Sequence, residues 1–121
     1  MQTSNTAIER QRAPSEFAAA SRRLEGLFQM LRRARKCLHL SVDEAAVFLA
    51  LGQLSLSQGR SGLIIQFVAC AEVSEYLGIP KETVRRKIAR LADVGLAHIS
   101  PRGVVIKNES AWLRCVEEIF I

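Results

Sequence analysis

Cysteine, aromatic residues and long apolar runs are all scarce in this chain, and each scarcity removes a class of protein. The three cysteines, Cys37, Cys70 and Cys115, are far apart and form no CxxC or Cys/His cluster. That spacing argues against a zinc site. It suits three reduced thiols packed as small apolar residues, with a redox-sensing thiol as the alternative. Aromatics make up 6% of the chain, with one Trp and one Tyr, so the core must be largely aliphatic. No apolar run approaches the ~18 residues that cross a bilayer. The start, MQTSNTAIERQRAPS, lacks the apolar centre of a signal peptide. A cytoplasmic protein with no membrane partner is expected. Also missing are a glycine-rich phosphate loop, a nucleophile elbow and a paired-carboxylate constellation, while Ser74 and His98 are too isolated for a triad. No enzyme, metal or cofactor is expected.

Positive charge is plentiful and unevenly placed. The chain of 121 residues carries a net charge of +5. Lys81 to Arg90 holds five positive charges and one negative; Arg22 to Lys36 holds six and one. After Asn108 the sign reverses. Charge collected along particular helices is the footprint a polyanion requires.

Residues 1–14 read as a flexible basic arm, and 15–121 as a single domain. Ser15 is placed to cap a helix over 16–38, with Glu16 in its first turn. Phe17, Leu24, Leu31 and Leu38 recur every seven residues, with Ala20, Leu27 and Ala34 between them and Phe28 widening the seam. The seam can pack on the domain's own core or on a second subunit; the pattern alone leaves both open, and a dimer is expected. Ser41-Val42-Asp43-Glu44 is a capping box opening a second helix to about Leu54, apolar on most sides and therefore central. Residues 57–62 read as a loop. Leu63 to Val68 reads as a short strand, pairing with a later hairpin, or as a lead-in to the next helix.

The stretch 71–107 holds the most information. A short helix from Ala71 to Leu77 turns Val73 and Leu77 inward with Tyr76 beside them. Gly78 stands where the chain reverses, a position that favours positive φ. Ile79 plugs the space between two helices, and Pro80 suits the first position of the next. That helix, 81–94, has Val84, Ile88 and Leu91 as its buried stripe. Its other face carries Lys81, Glu82, Thr83, Arg85, Arg86 and Arg90. Two β-rich segments then flank Ser100-Pro101-Arg102-Gly103, a type I turn sequence, giving a wing over 97–107. Asn108 caps a last helix, 109–120, with Trp112, Val116, Ile119 and Phe120 on its apolar side.

The fold class is therefore mainly α with a small β-hairpin wing: a winged helix-turn-helix (71–94 plus wing) with flanking N- and C-terminal helices. The run AEVSEYLGIPKETVRRKIARLADVGLAHI resembles bacterial winged-helix transcription regulators of the MarR, GntR, DeoR and Crp types. The flanking helices favour a MarR-like arrangement, although the chain is shorter and its wing shorter and less basic than that pattern. The resemblance implies a homodimer on double-stranded DNA, with the terminal helices, through Phe17, Leu24, Leu27, Leu31, Trp112, Val116 and Ile119, as the interface. It implies that Lys81, Glu82, Thr83, Arg85 and Arg86 read bases or backbone in the major groove. Arg90 is expected on phosphate, and Arg102 on the minor groove or backbone. A small-molecule effector of unknown identity is compatible with such a regulator. The competing expectation is a winged-helix protein-interaction or assembly module without specific DNA binding.

Overall fold

The computed structural model describes residues 13–117. Its elements run α1 (Pro14–Leu38), α2 (Val42–Ser55), β1 (Leu56–Gly59), β2 (Gly62–Ile65), α3 (Cys70–Leu77), α4 (Lys81–Asp93), β3 (Ala97–Ser100), β4 (Gly103–Ile106) and α5 (Glu109–Val116). The expected mainly helical fold with a β-hairpin wing is present. Most of the expected arm, residues 1–14, lies outside the described residues, as do Ile119 and Phe120.

α2 is the hub. It packs on α1, α3, α4, α5, β1 and β4, and Val47, Phe48 and Leu51 are wholly buried in it. The capping box forms as its sequence dictates: the Glu44 N–H donates to Ser41 Oγ at 3.1 Å, and the Ser41 N–H donates to Glu44 Oε1 at 2.9 Å. Val73 of α3 and Val84, Ile88 and Leu91 of α4 close the core against it, with Leu96, Val104 and Ile106 of the wing region below.

α1 starts two residues before the expected position. Pro14 takes its first turn, and Ala13, without a side-chain cap, precedes it; Ser15 is thus inside the helix and is not its cap. The heptad seam changes character along its length. Ala34 is buried and Leu31 and Leu38 pack on the core. Phe17, Leu24, Leu27 and Phe28 are exposed, Phe17 at 74%. Of the two coverings left open by the pattern, the domain itself supplies one for the C-terminal half only.

At the other end, α5 stops at Val116, because Glu117 is extended; it is shorter than the expected 109–120. Trp112 docks on α2 at Gly52, where a Cβ would lie 2.0 Å from its Nε1, and that nitrogen donates to the Leu49 carbonyl at 3.0 Å. The Arg33 guanidinium of α1 donates to the Cys115 carbonyl, tying α1 to α5. The thiols are unequal: Cys115 is buried, Cys70 half-buried, but Cys37 is exposed rather than packed away. Burial also pushes the Cys115 thiol up from its ordinary value.

Residues 56–65, in part expected as a loop, form a second hairpin. β1 and β2 pair antiparallel, Leu56 opposite Ile65 and Gly59 opposite Gly62. β2 therefore does not join the wing as an expected first strand would. The link to the wing is one bridge further on, where Val68 and Val104 exchange both backbone hydrogen bonds at 2.7 and 2.8 Å.

Candidate nucleic-acid interface

The reading head is built on the reversal between α3 and α4. Gly78 adopts φ 73°, and its N–H donates to the Ser74 carbonyl at 2.8 Å. The Ser74 hydroxyl donates to the Ile79 carbonyl at 2.6 Å, locking the turn from inside. This is the part Ser74 plays; a hydroxyl four residues ahead of the glycine is the only signal of it in the sequence. Pro80 has extended backbone and sits just ahead of α4, one place earlier than expected. Tyr76 is exposed instead of facing the core, because Val73 and Leu77 already fill the α3–α2 contact.

α4 buries Val84, Ile88 and Leu91 as its spacing requires. The opposite face exposes Lys81, Glu82, Arg85, Arg86 and Arg90, with Thr83 half-buried. The cations on it are not equivalent. Arg85 is engaged by Glu82 one turn back: its Nε donates to Glu82 Oε1 at 3.1 Å, and Nη2 pairs with Oε2. That hydrogen bond holds the Glu82 carboxyl below its ordinary value and raises the Arg85 guanidinium. Arg90 leans back toward the domain, its Nε 3.6 Å from Glu44 Oε2. Glu44 thus caps α2 with one oxygen and holds α4 with the other, a double duty the capping motif alone does not disclose. Lys81 and Arg86 form no hydrogen bond or ion pair among the described residues. Arg86 is therefore the guanidinium on this face that meets a ligand with no internal partner to surrender.

The wing follows α4 through Gly95, at φ 81°. β3 and β4 pair Ala97 with Ile106 and Ser100 with Gly103. Ser100 Oγ accepts the Arg102 N–H at 3.1 Å, so the tip is braced by its own hydroxyl. Arg102 stands exposed at that tip, its guanidinium carbon 5.7 Å from the centre of the Phe67 ring. Phe67 went unremarked in the sequence because it lies outside the helix-turn-helix, and only the Val68–Val104 bridge brings it to the wing.

The residues expected at a subunit interface fall into two groups. Phe17, Leu24 and Leu27 present an uncovered apolar face. Leu31 and Trp112 pack on the chain's own core, and Val116 is half-buried nearby. Between α1, α2, α3 and α5 lies an apolar groove of about 350 Å³, lined by Leu27, Leu31, Leu49, Tyr76 and Trp112 among others. It runs into the exposed face of α1 at Leu27. Among the described residues no group of His, Cys, Asp and Glu is placed to hold a metal ion, and no single helix is long and apolar enough to cross a membrane.

Comparison with known proteins adds a family. The model for the replication protein C N-terminal domain matches residues 1–102, a span that takes in every element from α1 to the tip of the wing. No curated protein and no solved structure matches the chain. The match supports a winged-helix DNA-binding protein without singling out the MarR arrangement. With the reading head, the wing and a match over most of its length, the chain belongs to the family of replication protein C N-terminal domains.

Proposed function

We propose that this domain binds duplex DNA in a sequence-specific manner for replication initiation, as the DNA-reading part of a plasmid initiator, and that its activity is binding rather than catalysis. The observation that carries the reading is α4: one face wholly buried, the other offering Lys81, Arg85 and Arg86 to solvent at the helix N-terminal end. In a helix-turn-helix that end enters the major groove, where an arginine pairs bidentately with guanine. Arg102 on the wing then lies on the minor groove or the backbone. The target is an origin sequence in place of the operator that a transcription regulator would read, since the family is one of replication proteins. Such a domain would work in the cytoplasm. Two copies join through the uncovered half of α1, which spreads the reading heads over two half-sites. The apolar groove beside Leu27 is where an effector of that dimer would act.

The experiment is a titration of labelled duplexes, selected from a random pool, with the parent, Arg85→Ala and Arg86→Ala at several salt concentrations. Loss of a guanine contact costs about 1–3 kcal/mol and relaxes preference at one base pair. Arg86→Ala is expected to show the full loss, and Arg85→Ala a smaller one because Arg85 must first leave Glu82. Unchanged affinity and preference in both variants would remove α4 from the interface.

A further inference from the structure

The wing tip is held by residues outside the wing, and they converge on one side chain. Val68 is bridged to Val104 by two short backbone hydrogen bonds. Opposite them, Gly103 has φ 131°, and a Cβ there would lie 2.9 Å from the Val68 carbonyl oxygen and 3.5 Å from Phe67 Cβ. Only glycine allows the two segments to approach this closely. The approach lays the Phe67 ring under the Arg102 guanidinium, at 5.7 Å, within the ~6 Å at which a cation is drawn to a ring face. Phe67 is 39% exposed, so its ring is not consumed as core. Arg102 has no carboxylate partner among the described residues; this ring is what orients it.

We infer that Phe67 is the positioning residue for Arg102: it fixes the guanidinium at the wing tip before DNA arrives, so that the contact is made with little loss of side-chain freedom. The inference rests on the proposed DNA contact of the wing. A flexible arginine gives up rotamer entropy when it settles on a phosphate or in a minor groove, and a stacked one has given up part of it already. A guanidinium lying on an aromatic face keeps its N–H edge free for acceptors. The ring therefore orients the arginine without competing for the groups that meet DNA.

The test has two arms. In the first, the Nε–H resonance of Arg102 in the free protein is compared among the parent, Phe67→Leu and Phe67→Trp. A ring-current shift is expected in the parent and in Phe67→Trp, and is expected to vanish in Phe67→Leu, which keeps an apolar side chain there. In the second, duplex affinity is measured for Phe67→Leu, Phe67→Trp, Arg102→Ala and the double variant Phe67→Leu with Arg102→Ala. Phe67→Leu is expected to weaken binding about two- to fivefold, Phe67→Trp to restore it, and Phe67→Leu to add nothing once Arg102 is gone. No ring-current shift in the parent overturns the positioning role outright. So does an equal effect of Phe67→Leu with and without Arg102, which would mean that the ring acts on DNA or on the fold by itself. A shift that is present while Arg102→Ala binds as tightly as the parent overturns the role from the other side: it shows that the wing contact is the failed premise and the stacking real.

Discussion

Glu82 is the one acid between Lys81 and Arg90, and it is spent on Arg85. Both side chains are open to water, so their pairing contributes little to stability. Its effect is on charge presented to a ligand. Glu82→Gln keeps the shape, removes a negative charge from the face and releases Arg85. Affinity for random duplex is expected to rise roughly two- to fivefold, while discrimination between cognate and random duplex falls; competition binding measures both. The same pair sets a pH dependence. Because the Arg85 hydrogen bond depresses the Glu82 carboxyl, its contribution is fully present above the unfolded glutamate value. It is lost progressively as pH falls from that value toward the lowered one of the folded chain. The i, i+3 spacing carries a signal for the pair, since residues three apart on a helix are neighbours, although the resemblance to winged-helix regulators assigns both residues to DNA. Arg90 and Arg102 were not readable in the same way. Their partners, Glu44 and Phe67, come from elements far off in sequence, and only the folded chain shows them engaged.

At the scale of elements, Gly52 is the instructive case. A glycine inside a helix costs about 1 kcal/mol relative to alanine, so Gly52→Ala would ordinarily stabilise α2. Here Trp112 occupies the space a methyl group would need, and its indole N–H is committed to Leu49. Overpacking of this kind costs about 1–3 kcal/mol. The expected outcome is a net loss of stability in urea denaturation, with α5 the first element to loosen. Elements with local signals were legible. α2 has a capping box within four residues, α3 and α4 have a glycine reversal, and the wing has a turn sequence between two β-rich segments. The β1–β2 hairpin was not. Its first strand, Leu56-Ser57-Gln58-Gly59, is polar and glycine-ended like a loop. Its second, Gly62–Ile65, falls largely in the stretch read as a short strand, but it is exposed throughout, with no apolar–polar alternation to show that its partner is β1 and not the wing. The end of α5 was missed for the opposite reason: apolar residues continue in sequence past Val116, but Glu117 has already left the helix.

For the whole molecule, the seam of α1 connects stability to assembly. Its C-terminal half, carrying Arg32, Arg33, Arg35 and Lys36, is fastened to the core and to α5. Its N-terminal half, where Glu16 and Glu25 balance Arg22 and Arg23, is uncovered. The apolar face therefore lies on the electrically balanced half, where a second copy can approach without meeting a block of like charge. Leu24→Asp is expected to convert dimers to monomers in sedimentation, cost no more circular dichroism than the outer turns of α1 supply, and reduce binding of a two-half-site duplex far more than that of a single half-site. A parent that sediments as a monomer at high concentration would refute the dimer and leave the reading head standing. The seam was visible as a heptad; which half the domain would cover was not, because that depends on where α2 and α5 end up.

Gly26 lies at the join between those two halves, with open space where a side chain would be. A helix is weakest where glycine lowers its propensity and no tertiary contact compensates. The outer turns of α1 are therefore the ones to fray while the core stays intact, and a second copy in the proposed dimer would order them as it docks. In the proposed dimer, part of the association energy would go into that ordering. Gly26 would then set the tightness of the proposed dimer through the stability of its helix, independently of the apolar side chains that meet the partner.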